Sequence, residues 1–357
     1  MAHQWRGVIR EYFDRLDVDS TTPIITLGEG GTPLVEAPAL AKLVGADRVL
    51  LKVEGMNPTG SFKDRGMTMA VSKAIGKGAK AVICASTGNT SASAAAYAAA
   101  AGIQSVVLIP EGKIAMGKLS QAVAHKAQIL QVQGNFDDCL DLARHLSEHY
   151  PVFLVNSVNP DRIEGQKTGA FEVVESLGFA PDLHVLPVGN AGNYSAYFKG
   201  YSEELAAGAI KKLPQMWGFQ AEGSAPFTVG HPVKNPETIA TAIRIGNPAS
   251  WDLAQNAREV SGGRFGAVSD QEILWMHRFL SNEVGVFVEP SSATGAAGLY
   301  KQQLQGENLT GKNIVVTVTG HGLKDAGWAL KDAEGNDIQP LVVPNNVEAV
   351  AERLGLA

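Results

Sequence analysis

A lysine stands in this chain where a lysine is electrostatically costly. The stretch Asn57-Pro58-Thr59-Gly60-Ser61-Phe62-Lys63-Asp64-Arg65-Gly66 follows a strand-like run, Val49 to Glu54, and opens an apolar helical run, Met67 to Ile75. Pro58 and Gly60 mark a turn. Ser61 and Asp64 have the spacing of a capping box. Lys63 then falls in the first turn of a helix, where the positive end of the dipole repels an ammonium. That field, together with burial, favours the neutral amine. A neutral amine forms a Schiff base with a carbonyl compound. The same spacing equally fits a surface lysine that follows a helix cap.

Two more turns join a strand to a helix. In Gly189-Asn190-Ala191-Gly192-Asn193 the small residues let backbone N–H groups converge, and the helix start adds positive dipole. This suits a phosphate, although tight turns also use Gly and Asn. It is neither a Walker loop nor a dinucleotide fingerprint, which sets aside a nicotinamide oxidoreductase. Ser86-Thr87-Gly88-Asn89-Thr90 reads either as a plain N-cap loop or as hydroxyls and amides arranged for a carboxylate. Arg162, near Asn156, Ser157 and the Asn159-Pro160 pair, has the fork that suits phosphate, or is a surface arginine at a helix start. Lys113 and Lys118 flank residues 114–117 and are further cations for the same anion. Thr319 reads as a strand-end residue bonded to its own backbone, and His321 as structural. No metal site is expected, the eight histidines being read as scattered. There is no Gly-x-Ser-x-Gly elbow.

Ser61-Phe62-Lys63-Asp64-Arg65-Gly66 resembles the cofactor-lysine motif of the tryptophan-synthase-β-like, fold type II, pyridoxal-phosphate enzymes. The fuller string from Asn57 is most similar to that of the threonine synthases within them. The similarity continues through residues 85–91, 156–160, 189–193 and 317–320, in the family's order. This resemblance implies that Lys63 carries pyridoxal 5'-phosphate. Gly189, Asn190, Ala191, Gly192 and Asn193 would hold the cofactor phosphate, Asn89 its phenolic oxygen, and Thr319 would face a neutral pyridine nitrogen. Ser86, Thr87 and Thr90 would take the substrate carboxylate. Lys118, Asn156, Ser157 and Arg162 would bind the rest of the substrate. The implied reaction converts O-phospho-L-homoserine and water to L-threonine and phosphate, the last step of threonine biosynthesis. A homodimer is implied as well. The rivals are threonine dehydratase, a cysteine-synthase-like lyase, and a non-catalytic binding protein on the same scaffold.

The elements needed to position these residues are legible. An amphipathic helix spans Val8 to Leu16 by its spacing, and a glycine-rich arm follows over residues 28–34. From Val49 short β-branched runs alternate with helical ones, and after Asn159 the alternation resumes. That pattern predicts two doubly wound parallel α/β lobes of unequal size with the site between them. The larger domain is read as residues 1–60 and 158–357, the smaller and mobile one as 61–157. Ser269 to Asn282 reads as one helix. With 357 residues, 45% hydrophobic content and 39 glycines, the chain has an ample core and many tight turns. A net charge of −6 with no basic run excludes a nucleic-acid partner. The two cysteines form no Cys-x-x-Cys pair, and no secretory leader or membrane span is read, so a cytoplasmic location is expected.

Overall fold

In the computed structural model, which describes residues 3–112, 116–332 and 335–356, the alternation becomes two sheets. The strands among the described residues are β1 (Leu34–Glu36), β2 (Arg48–Val53), β3 (Ala81–Ala85), β4 (Gln104–Pro110), β5 (Gln128–Val132), β6 (Val152–Leu154), β7 (Leu183–Pro187), β8 (Gln215–Ala221), β9 (Arg264–Val268) and β10 (Asn313–Val318). The larger sheet has the order β1-β2-β10-β7-β8-β9, the smaller β5-β4-β3-β6. Only β1 runs antiparallel to its neighbour.

β3 and β7 are buried along their whole length, and β2 and β10 beyond their first residue. Continuous apolar runs of this kind belong to strands covered on both faces. Val49 and Leu51 of β2, with Ile314 and Val316 of β10, face one core that includes Leu40, Ala296 and Leu299. Leu50 and Val315 face the opposite core, with Val173, Tyr194 and Tyr201. In the smaller sheet Val82 and Val107 pack with Val71, Ala94 and Tyr97.

A buried charge network fastens the helix that Lys63 begins. Arg65 forks onto Glu54 (2.7 and 2.8 Å) and onto Glu172 (2.5 and 2.7 Å). Glu172 also takes Lys52 at 2.5 Å and the backbone N–H of Gly31 at 2.9 Å. Burial alone would raise the Glu172 carboxyl, but Arg65 and Lys52 hold it down at about 2. The glycine-rich arm, β2 and the helices Lys63–Gly76 and Pro160–Leu177 are thereby tied at one point. Gly165 permits those helices to touch, since a Cβ there would lie 1.9 Å from the Arg65 carbonyl oxygen.

Three expectations change. The N-terminal helix is shorter than its spacing suggests: Val8–Glu11 is helical, Tyr12 breaks it (φ −118°), and Phe13–Arg15 is a 3-10 turn. Tertiary contacts decide this, since the Arg15 guanidinium lies 3.4 Å over the Phe171 ring and pairs with Glu204. The helix after Ser269 ends at Phe279 and continues as a π-turn over Leu280–Val284. The capping box expected at Ser61 does not form, because Asp64 finds other partners.

Contacts divide the chain after Asp325; both sheets lie before that point. Residues 326–357 include a short helix, Val347–Arg353, capped by the Asn346 side chain. No helix among the described residues is long and apolar enough to cross a membrane. Cys84 and Cys139 are free and buried.

Candidate active site

The parallel strands deliver their carboxyl ends to one cleft of about 670 Å³, counting its open mouth. Its wall includes Lys63, Asn89, Ser157, Arg162, residues 189–193, Glu289 and Thr319. Lys63 is the first residue of its helix, yet Phe62 rather than Ser61 stands at the cap, with no side-chain capping bond. The Ser61 hydroxyl has no partner among the described residues. Asp64 turns away and accepts from Thr59 N (2.7 Å), Thr59 Oγ1 (2.6 Å) and Ser93 Oγ (2.5 Å). It thus pins the turn before Lys63 instead of closing a capping box. Burial lowers the Lys63 amine to about 7, with the Arg162 charge adding and the Glu289 charge opposing. A large neutral fraction therefore exists at neutral pH, as a nucleophile or base requires.

Arg162 is buried without an ion pair among the described residues. Its Nη1 donates to the Val155 carbonyl at 3.2 Å, while Nε has no partner. Burial lowers it to about 10, so it stays cationic at neutral pH. A buried cation with spare donors beside the cleft is arranged for an anion.

The 189–193 turn leads into helix Gly192–Ala206. Ala191 takes the left-handed conformation (φ 62°), rare outside glycine. This curls the chain so that the unmated N–H groups of the first helical turn face the cleft. A Cβ at Gly189 would lie 2.9 Å from Ile243 Cα, so the turn needs glycine there. Both polar atoms of the Asn193 side chain are buried and unpartnered. A cradle with spare donors at a helix start fits a phosphate.

Ser292 sets the hydroxyl of Thr319. Its oxygen accepts the N–H groups of Thr319 (3.0 Å) and Gly320 (2.7 Å), and lies 2.8 Å from Thr319 Oγ1. With its acceptor capacity used on two amides, Ser292 has one proton to give, and both Thr319 Oγ1 and the Gly320 carbonyl oxygen (3.3 Å) are within its reach.

The chain matches the family described as pyridoxal-phosphate dependent enzyme over residues 25–320. The threonine synthase of Mycobacterium tuberculosis H37Rv is 60% identical over 359 residues, covering 100% of this chain and 98% of that protein. That of Synechocystis is 55% identical, covering 99% and 92%, and that of Methanocaldococcus jannaschii 48% identical, covering 92% and 83%. The chain belongs to the threonine synthase family. It is a pyridoxal-phosphate-dependent enzyme, and the cleft fits that group: a partly neutral lysine faces a donor-rich cradle. Among solved structures it resembles maize serine racemase (TM-score 0.72, 20% identity, covering 89% and 94%) and the threonine deaminase of T.th. (TM-score 0.66, 24% identity, covering 87% and 94%). That likeness concerns the fold alone, so within this family substrate choice rests with side chains.

Of the residues singled out in the sequence, the cleft gathers Lys63, Asn89, Ser157, Arg162, Thr319 and the whole 189–193 turn. Ser86, Thr87 and Thr90 are half-buried on the turn around Asn89 and do not line it. Asn156 is committed elsewhere, its amide exchanging two 2.9 Å bonds with the Ala85 backbone. The Lys118 side chain and Lys113 lie outside the described residues. Gln166, Ile243 and Glu289 also line the cleft and were not anticipated. Gln166 stands one helical turn after Arg162, a spacing that marks a shared face. One histidine reading needs correction. His145 and His149 are four apart on helix Phe136–His149 and stand with Glu148 as an exposed group whose ligand atoms lie within 4.8 Å of one another.

Proposed function

We propose that this protein converts O-phospho-L-homoserine and water to L-threonine and phosphate. The observation that carries the reading is Arg162. The 189–193 cradle accounts for the cofactor phosphate, and Arg162 offers a second, cationic anion site in the same cleft. A phosphorylated substrate requires two such sites; O-acetylserine and threonine do not.

Pyridoxal phosphate, once bound, supplies an electron sink for negative charge at the substrate Cα. The chain does the rest. Lys63 Nζ would hold the cofactor, and as a free amine it would take the α-proton. The same amine is suited to move later protons as phosphate leaves Cγ and water adds at Cβ. Arg162 and Ser157 hold the substrate phosphate. Asn89, whose Nδ2 already donates to Glu289, would turn its remaining N–H toward the cofactor's phenolic oxygen. Thr319 would offer the ring nitrogen a hydroxyl in place of a carboxylate, which would leave that nitrogen unprotonated. The segment 61–157 is read as a smaller mobile domain that closes to exclude water. A cytoplasmic homodimer is part of the same reading.

Thr319→Asp places a carboxylate where a hydroxyl stands. The ring nitrogen then holds a proton, the absorbance of the bound cofactor changes, and turnover falls roughly tenfold or more, about 1.4 kcal/mol. An unchanged spectrum with unchanged turnover contradicts the assignment.

The function is tested with purified enzyme, scoring phosphate release and threonine together. Equal yields from O-phosphohomoserine, with little turnover of threonine or O-acetylserine, are expected. Ammonia and a keto acid from threonine would indicate a dehydratase instead.

A further inference from the structure

Glu289 is a carboxylate inside the cleft wall, 4% exposed, whose role neither the motifs nor the reaction above explains. It sits just before helix Pro290–Leu304, at the cap position, but makes no capping bond with its side chain. Its backbone is clamped instead: its N–H donates to Gly320 O at 3.1 Å and its carbonyl accepts from Ser292 N at 2.9 Å. Gly320 exists to make room for it, since a Cβ there would lie 2.5 Å from the Glu289 carboxylate. The fold therefore presses this side chain into the cleft at one fixed position.

There the carboxylate receives Asn89 Nδ2 on both oxygens, at 3.0 and 3.2 Å. An ionised carboxylate only accepts, so it dictates which way the Asn89 amide faces. Asn89 itself is buried at the start of helix Asn89–Ala101, which packs on the smaller sheet. The charged groups that face Glu289 are Lys63 from its helix start, and Lys324 and Asp325 from the segment after β10. Lys324 is partly occupied, donating to the Thr59 carbonyl at 3.1 Å and to Gln121. Glu289 makes no ion pair among the described residues. Its negative charge is thus spent on the Asn89 amide and on the field at Lys63.

We propose that Glu289 is a positioning residue for the Lys63-bound cofactor: it fixes the donor face of Asn89 and supplies the negative charge that keeps the Lys63 nitrogen protonated when a proton is needed there. This rests on the functional reading above for Lys63 and Asn89, but not on the identity of the substrate. Burial raises the Glu289 carboxyl to about 7, the range in which Lys63 itself titrates. Each charge acts on the other: the Lys63 cation lowers the Glu289 carboxyl, and the Glu289 carboxylate raises the Lys63 amine.

The test uses holoenzyme without substrate, following the absorbance of the lysine-bound cofactor as pH is varied. E289Q keeps the shape and an acceptor oxygen but removes the charge. Without that charge the cationic form of the Lys63 nitrogen is less favoured, so the midpoint moves to lower pH, by roughly one unit. E289D keeps the charge and should hold its midpoint near that of the parent. With substrate, E289Q should lose roughly tenfold or more in kcat with KM changed far less, as befits a group acting on the reacting centre. A parental midpoint and kcat in E289Q overturn the proposal. So does an E289D midpoint that falls as far as that of E289Q, which assigns the effect to packing. Because the titration needs no substrate, a failure to form threonine leaves this result readable on its own.

Discussion

Lys63→Ala is expected to cut threonine formation by roughly three orders of magnitude or more. The size follows from how many tasks meet on one nitrogen. In the proposed reaction Lys63 would hold the cofactor and, once freed, take the α-proton. No other lysine stands in the described wall of the cleft to replace it. Its amine is prepared for this by burial, which brings it to about 7, and by the clamped turn before it. Folding should be spared, since Lys63 makes no ion pair among the described residues and the network that ties its helix runs through Arg65. Borohydride reduction of the parent enzyme followed by peptide mapping should place the cofactor on Lys63. A label on another lysine contradicts the assignment.

Arg162→Ala is the second large loss, and it should separate two phosphates. In the proposed arrangement the 189–193 cradle would hold the cofactor phosphate, so the variant should bind pyridoxal phosphate and keep its colour. The substrate phosphate loses its cation. Removing one partner of a desolvated charge pair costs about 2–5 kcal/mol. Turnover of O-phosphohomoserine should then fall by roughly one to three orders of magnitude. Added inorganic phosphate, an inhibitor of the parent by this reading, should inhibit the variant much less. A variant that loses its cofactor but keeps its substrate affinity would mean that the two sites are assigned the wrong way round. Arg162→Lys is a useful companion, because it retains charge but loses the fork.

The cleft was legible to the extent that its chemistry sits in short contiguous strings. Lys63, the 189–193 turn and Asn89 each follow a strand and open a helix, and that local context is visible in sequence. Thr319 directly follows β10, a placement equally visible in the sequence. What joins strings distant in sequence was not legible. Glu289 reads as an ordinary residue before a helical proline, and only the fold brings it to Asn89, 200 positions away. The Arg65–Glu172 pair spans 107 positions, and the charges on β2 and helix Pro160–Leu177 give no hint of each other. Ser61 and Asp64 show the opposite failure. Their spacing is right for a capping box, yet Thr59 and Ser93 offer Asp64 better partners. Asn156 and Ser157 are neighbours in sequence, but only Ser157 reaches the cleft, because the Asn156 amide is bonded to the backbone of Ala85 at the end of β3.

The most direct test of the account is to run the reaction in water enriched in oxygen-18. Phosphate leaving from Cγ with its own ester oxygen, followed by water adding at Cβ, puts the label in the threonine hydroxyl and none in the released phosphate. Label in the phosphate, with homoserine as the other product, would mean simple ester hydrolysis and would contradict both the role given to Lys63 and the reaction itself.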